Sequence, residues 1–267
     1  MFIEHNGDRY WVTIEGEGIP LVLLHGFTGT VHTWETLRSQ WQNKFQVITI
    51  DLPGHGQTEV HPPYSMQTTC AAIFHLLKTL EYDHVHILGY SLGGRTAISF
   101  VNMYPEMVKT LIVESGSPGL KTQEEQELRI KNDEMLATMI EEEGLQHFVE
   151  YWAHIPLFAS QKRLPKAVQE KIKKERLSQK GKGLADSLRY MGTGKQPSLW
   201  DKLSYIQIPT LFITGSYDQK FVEINNDMQK LLPNAIHKVI MDAGHAVHVE
   251  QPKFFGKIVS DFILHNE

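Results

Sequence analysis

A chain of 267 residues that is 41% hydrophobic and 21% charged holds enough apolar material for one large core and too little charge imbalance for disorder. Its formal charge of -5 argues against a nucleic-acid-binding surface, and its single cysteine, Cys70, excludes an intrachain disulfide and any four-cysteine zinc site. No apolar run reaches the roughly 18 residues of a membrane span, and Met1 is followed closely by an acid, Glu4, so a cytoplasmic location without membrane insertion is predicted. In chain order, residues 9–15 read as a strand after an Asn6-Gly7 turn signal. Residues 20–25 and 46–51 are short continuous apolar runs, the pattern of strands buried on both faces, with a helix-period segment at 33–42 between them. Helical 66–80, strand 85–89, helical 92–103 and strand 110–114 follow, and after a break strands at 210–214 and 237–241 alternate with helices at 225–231 and 253–264. Strands alternating with helices predict an α/β fold, a mostly parallel central sheet with helices on both faces.

The alternation stops between residues 121 and 195, which read as a helical insertion, a lid, between core segments 1–120 and 196–267. Residues 121–161 carry a net charge of -6 and residues 162–195 a net charge of +8. Such runs are ordinarily solvated helix faces, but an insertion at the ligand end of a parallel sheet, with one basic half, also fits a cover for an anionic substrate.

Gly89-Tyr90-Ser91-Leu92-Gly93 fits G-x-S-x-G and ends a predicted strand where a predicted helix opens, the context of a nucleophile elbow. Asp218 and His245 each follow a later strand, giving the order Ser, Asp, His that such a fold requires. In that arrangement His245 takes the serine proton, and Asp218 fixes its tautomer and stabilises the imidazolium. The backbone N–H groups of Phe27, after the first buried strand, and of Leu92, after the serine, are the candidate oxyanion hole. His25 reads as a hydrogen-bonded loop anchor, and Asp242 and His248 as supporting or surface residues. No H-E-x-x-H, P-loop or G-x-G-x-x-G is present, and neither a metal nor an organic cofactor is called for.

Together with Leu23-Leu24-His25-Gly26-Phe27, Asp51-Leu52-Pro53-Gly54-His55-Gly56 and Gly244-His245, these motifs resemble the α/β-hydrolase superfamily over nearly the whole chain. Ser91-Leu92-Gly93-Gly94-Arg95, Ser117-Pro118-Gly119-Leu120, the segment from Gly192 to Trp200 containing Lys195-Gln196-Pro197, and Asp218-Gln219-Lys220-Phe221 resemble one group within it. That group is the 2-succinyl-6-hydroxy-2,4-cyclohexadiene-1-carboxylate synthases, pyruvate-eliminating lyases of menaquinone biosynthesis. The resemblance implies a small polycarboxylate substrate, held by Arg95, Arg129 and Arg176 with Tyr90, Trp152 and Phe221 beside it. It also implies that Ser91 acts as a general base rather than a nucleophile. Guanidinium groups suit carboxylates because they are always charged and can bind in bidentate fashion; Arg189 and Lys195 are further cations of lower rank. The triad alone equally fits a serine carboxylesterase or a carbon–carbon bond hydrolase, and the fold also serves ligand receptors without turnover. The oligomeric state is not legible.

Overall fold

A computed structural model describes all of residues 1–267. Eight strands form one sheet in the order β1-β2-β4-β3-β5-β6-β7-β8. β1 (Phe2–His5) and β2 (Asp8–Glu15) are an antiparallel hairpin, and β2 pairs antiparallel with β4 (Phe45–Ile50). The rest is parallel: β3 (Ile19–Leu24) lies between β4 and β5 (Val85–Tyr90), followed by β6 (Val108–Glu114), β7 (Thr210–Gly215) and β8 (Ala235–Ile240). β1 was not expected from its short polar-ended sequence. The hairpin turn explains it: Asn6 and Gly7 both sit at positive φ, 52° and 85°, which matches the twist of a two-residue hairpin.

The central strands are apolar throughout because both faces are covered. One face packs under α2 (Met66–Thr79), α3 (Leu92–Met103) and α7 (Gln219–Leu231), the other under α1 (Glu35–Trp41) and α8 (Pro252–His265). Helix starts are written locally: Ser65 and Thr68 form a reciprocal capping box at α2, as Thr122 and Glu125 do at α4 (Gln123–His154). α7 begins six residues before the predicted 225, since Gln219 and Lys220 hide its apolar period. Cys70, on α2, is buried with its thiol 3.7 Å from the Thr96 carbonyl oxygen, and burial pushes its pKa well up.

Between β6 and β7 the chain inserts α4 (Gln123–His154), a 3-10 segment (Pro156–Arg163), α5 (Lys166–Leu177) and α6 (Gly181–Met191). α4 breaks at Gly144, where φ is 87°. α4 and α6 share a small apolar cluster of their own that includes Ile140, Phe148 and Leu184. Arg189 of α6 reaches back to both Glu134 and Glu141 of α4 at 2.6–3.1 Å. No helix is long and apolar enough to cross a membrane.

Candidate active site

β3 and β5 are neighbours whose following segments leave to opposite sides of the sheet, the switch point at which open parallel sheets bind ligands. The loop after β3 carries Phe27 and the turn after β5 carries Ser91. Ser91 sits at φ 52°, ψ −105°, a strained conformation for a residue with a side chain. The glycines around it are steric requirements. A Cβ on Gly93 would collide with the Leu24 carbonyl, and one on Gly89 with the backbone of Gly93.

Ser91 Oγ lies 3.0 Å from His245 Nε2, and His245 Nδ1 lies 2.7 Å from Asp218 Oδ2. His245 and Asp218 are buried, and Ser91 is partly open to a cavity of about 360 Å³. The Phe27 N–H has no acceptor within the protein. Leu92 is the first residue of α3, where a helix leaves its N–H groups without intrahelical acceptors. Both residues line the same cavity as Ser91.

Arg95, Arg129, Trp152 and Phe221 also line that cavity. Arg95 Nη1 donates to the Met191 carbonyl at 3.0 Å and to Gln196 Oε1 at 2.9 Å, both neutral acceptors. Burial first, and the neighbouring Arg129 cation second, push its pKa down to about 9. A guanidinium stays protonated at neutral pH, so Arg95 is a buried cation whose hydrogen-bond partners carry no counter-charge. Arg129 donates through Nε to Asp133 Oδ1 at 2.8 Å. Asp133 is 2% exposed, its Oδ2 has no partner, and burial pushes its pKa up against the pull of Arg129. The Phe221 ring lies 4.8 Å from that of His245, and Trp152 stacks on Phe148 at 5.5 Å with its indole N–H unpartnered.

Tyr90 and Arg176 are placed differently. They line a separate small pocket of about 60 Å³ with Gly26, Phe158 and His248, reached past Phe27. The Tyr90 ring packs against Gly26, where a Cβ would stand 2.6 Å from it, and burial raises the phenol pKa. Arg176 is 6% exposed, lies 4.7 Å over the Phe158 ring and has no carboxylate at ion-pair distance. The structure therefore groups four of the six expected binding residues with the triad and sets the other two next door. Arg189 is taken up by Glu134 and Glu141, and Lys195 is exposed outside the cavity.

Several contacts around the site were not foreseen in the sequence, while His25 proves to be the hydrogen-bonded loop anchor expected. Asp133 stands one turn after Arg129, a spacing that signals a helical ion pair. Gln196 lies inside the Lys195-Gln196-Pro197 segment, yet the buried side chain is the glutamine rather than the lysine. His25 and His55 accept the N–H groups of Leu52 and Thr28 through Nε2 at 3.0 and 3.2 Å, and burial holds their pKa values near 4 and 3. Of the two alternatives expected for His248, supporting or surface, the structure fits the first: it is 3% exposed and its Nδ1 lies 2.8 Å from the buried Glu114 carboxylate. Asp242 accepts from the exposed Tyr217 hydroxyl at 2.7 Å. No group of three or more His, Cys, Asp and Glu side chains is arranged to hold a metal ion.

The alpha/beta hydrolase fold family profile matches residues 19–252. A Bacillus subtilis protein named putative 2-succinyl-6-hydroxy-2,4-cyclohexadiene-1-carboxylate synthase is 43% identical over 263 residues, 97% of this chain and 96% of its own. The synthase of that name from Serratia proteamaculans is 28% identical across 91% of this chain and 92% of its own. The structure of MenH from S. aureus superposes with a TM-score of 0.92 at 35% identity, covering 96% of this chain and 98% of that one. A thermophilic esterase from Thermogutta terrifontis superposes at 0.88 with 26% identity, covering 99% and 97%. The chain belongs to the α/β-hydrolase family and, within it, to the 2-succinyl-6-hydroxy-2,4-cyclohexadiene-1-carboxylate synthases.

Proposed function

We propose that this protein is a carbon–oxygen lyase of menaquinone biosynthesis acting in the cytoplasm. It eliminates pyruvate from 2-succinyl-5-enolpyruvyl-6-hydroxy-3-cyclohexene-1-carboxylate to give 2-succinyl-6-hydroxy-2,4-cyclohexadiene-1-carboxylate. The observation that carries the reading is one cavity shared by a hydrogen-bonded Ser–His–Asp chain and two arginines, with Arg95 bound only to neutral acceptors. An esterase needs the first feature and not the second.

Ser91 acts as the base, its own proton passing to His245, whose cation Asp218 stabilises. It removes the ring proton at C2, beside the succinyl ketone. Negative charge developing on the ketone oxygen is met by the N–H groups of Phe27 and Leu92, since an enolate concentrates charge on one oxygen as a tetrahedral intermediate does. The C–H pair then becomes the C2=C3 bond, the ring double bond moves to C4=C5, and the C5–O bond breaks. The departing enolpyruvate is protonated and tautomerises to pyruvate. Arg95 and Arg129 bind substrate carboxylates, with Phe221 and Trp152 walling the ring. Residues 121–195 serve as the lid, and Tyr90 and Arg176 reach the substrate from the adjoining pocket.

The test follows diene absorbance and pyruvate release together on freshly made enolpyruvyl substrate. Matched, fast formation of both is expected, with Ser91→Ala losing at least a thousand-fold in kcat. Losing the cation but not the catalytic groups, Arg95→Ala is expected to raise KM about ten-fold or more, as a charge-assisted pair of about 1.5–3 kcal/mol implies. Slow elimination beside brisk cleavage of p-nitrophenyl esters would move the protein to the esterases.

A further inference from the structure

The last turn of α5 points its side chains in two directions. Arg176 faces the small pocket beside Tyr90. Glu175 and Gln179 face the loop that carries Phe27. Glu175 Oε1 accepts from the Thr30 N–H at 2.9 Å, the Thr30 hydroxyl at 2.9 Å and the Thr33 hydroxyl at 2.7 Å. Gln179 Nε2 donates to the carbonyls of Thr28 and Gly29 at 3.1 and 2.9 Å, and its Oε1 accepts from the Gly56 N–H at 3.0 Å. Two side chains thus make six hydrogen bonds to segments more than a hundred residues away.

The ends of the loop are held locally: His25 Nδ1 lies 2.8 Å from the Gly26 carbonyl oxygen, the Thr30 N–H donates to Thr33 Oγ1 at 3.2 Å, and the Val31 N–H donates to Asp51 Oδ1 at 2.7 Å. The loop's internal backbone bond runs from the Gly29 N–H to the Gly26 carbonyl at 3.0 Å. Thr28 sits at φ 70°, a left-handed conformation that a β-branched residue adopts only when its surroundings impose it. From the core side the anchor is His55, which accepts the Thr28 N–H. From the other side the anchors are Glu175 and Gln179, which fix the peptide planes directly after Thr28. Phe27, whose N–H is free, is the residue directly before it.

We propose that Glu175 and Gln179 are positioning residues that hold the Phe27 N–H in its working orientation. The oxyanion hole is then complete only while α5 is docked, and the same turn that completes it brings Arg176 to the site. Charge binding and charge stabilisation are assembled in one motion, so a substrate carboxylate drawn to Arg176 also secures the hole. This inference rests on the oxyanion role of Phe27 given above, not on the identity of the substrate.

The test compares Glu175→Ala, Gln179→Ala and Arg176→Ala on two reactions. One is pyruvate elimination; the other is cleavage of p-nitrophenyl acetate, a neutral ester that uses the hole and has no carboxylate for Arg176. Glu175→Ala and Gln179→Ala are expected to lose at least ten-fold in kcat on both, Arg176→Ala to raise KM for the anionic substrate, and the control Lys174→Ala, exposed on the same helix, to leave both rates within two-fold. Thr33→Val combined with Glu175→Ala should cost less than the product of the separate effects, because both remove one contact. Amide hydrogen exchange supplies a readout independent of turnover: in Glu175→Ala, Phe27 to Thr30 should exchange at least ten-fold faster while Leu92 and Gly93 do not change. A lowered melting temperature with unchanged rates on both reactions and unchanged exchange overturns the proposal, as does a loss confined to the anionic substrate. Failure of the wild type to eliminate pyruvate would overturn the proposed function and leave the ester and exchange arms to decide this one.

Discussion

Ser91 keeps its strained backbone because its neighbours have no side chains in the way. A methyl group on Gly93 would run into the Leu24 carbonyl, and β3 cannot retreat from a sheet paired on both its edges. Gly93→Ala is expected to cost about 3 kcal/mol, the upper end of overpacking penalties, read as a shift in the urea midpoint. Asp133 is a second such position. Without it, Arg129 loses its orienting carboxylate, and Asp133→Ala is expected to raise KM for the polycarboxylate substrate about ten-fold with kcat within two-fold. Among the histidines the effect is on pH. His25 and His55 accept backbone N–H groups, so the folded state keeps them neutral, with pKa values near 4 and 3 against an ordinary 6.5. The unfolded chain binds those protons first. Their contribution to stability is therefore complete above pH 6.5 and is lost as the pH falls from 6.5 toward 4. Burial lowers His86 and His237 in the same direction. Urea midpoints should fall steadily from pH 7 to pH 5; a flat profile would contradict the neutral assignment.

At the scale of elements, the insertion is a unit with its own small core, and Arg189 fastens α6 to α4 through two carboxylates. Arg189→Ala should speed amide exchange in α4 and α6 while the sheet strands keep their protection. Elements were legible where the local signal and the tertiary requirement coincide. The buried strands announce themselves because both faces need apolar residues, and α3 shows a clean helical period from Leu92 to Met103. The triad was legible because each member sits in a loop after a strand, where spacing survives. Contacts between distant segments were not. Nothing in the sequence near Glu175 says that it meets Thr30 and Thr33, and nothing in Ala246-Val247-His248 says that a buried glutamate from β6 awaits the histidine. The placement of Tyr90 and Arg176 in a neighbouring pocket is hidden for the same reason, since it depends on Phe27, from a distant loop, bordering both cavities.

Over the whole molecule the charges are segregated. The net charge is -5, yet residues 162–195 carry +8. Lys162, Lys166 and Lys173 rim a groove between α4 and α5 that has Arg176 at its inner wall. Three lysines against Glu150 and Glu170 leave this rim net positive, which would raise the encounter rate with the anionic substrate proposed above and be screened by salt. Changing the three lysines to serine should lower kcat/KM about ten-fold at low ionic strength, with the difference vanishing near 0.5 M salt and kcat unaffected throughout.

The lone thiol has a practical consequence. Cys70 is fully buried beneath α3, and burial keeps it protonated, so the native protein presents no reactive sulfur to a maleimide. A cysteine introduced at exposed Lys174 on α5 would then take a fluorophore alone, without first deleting a native residue. Its emission would report, in real time and on single molecules, whether that helix rests on the core or stands away from it as substrate arrives.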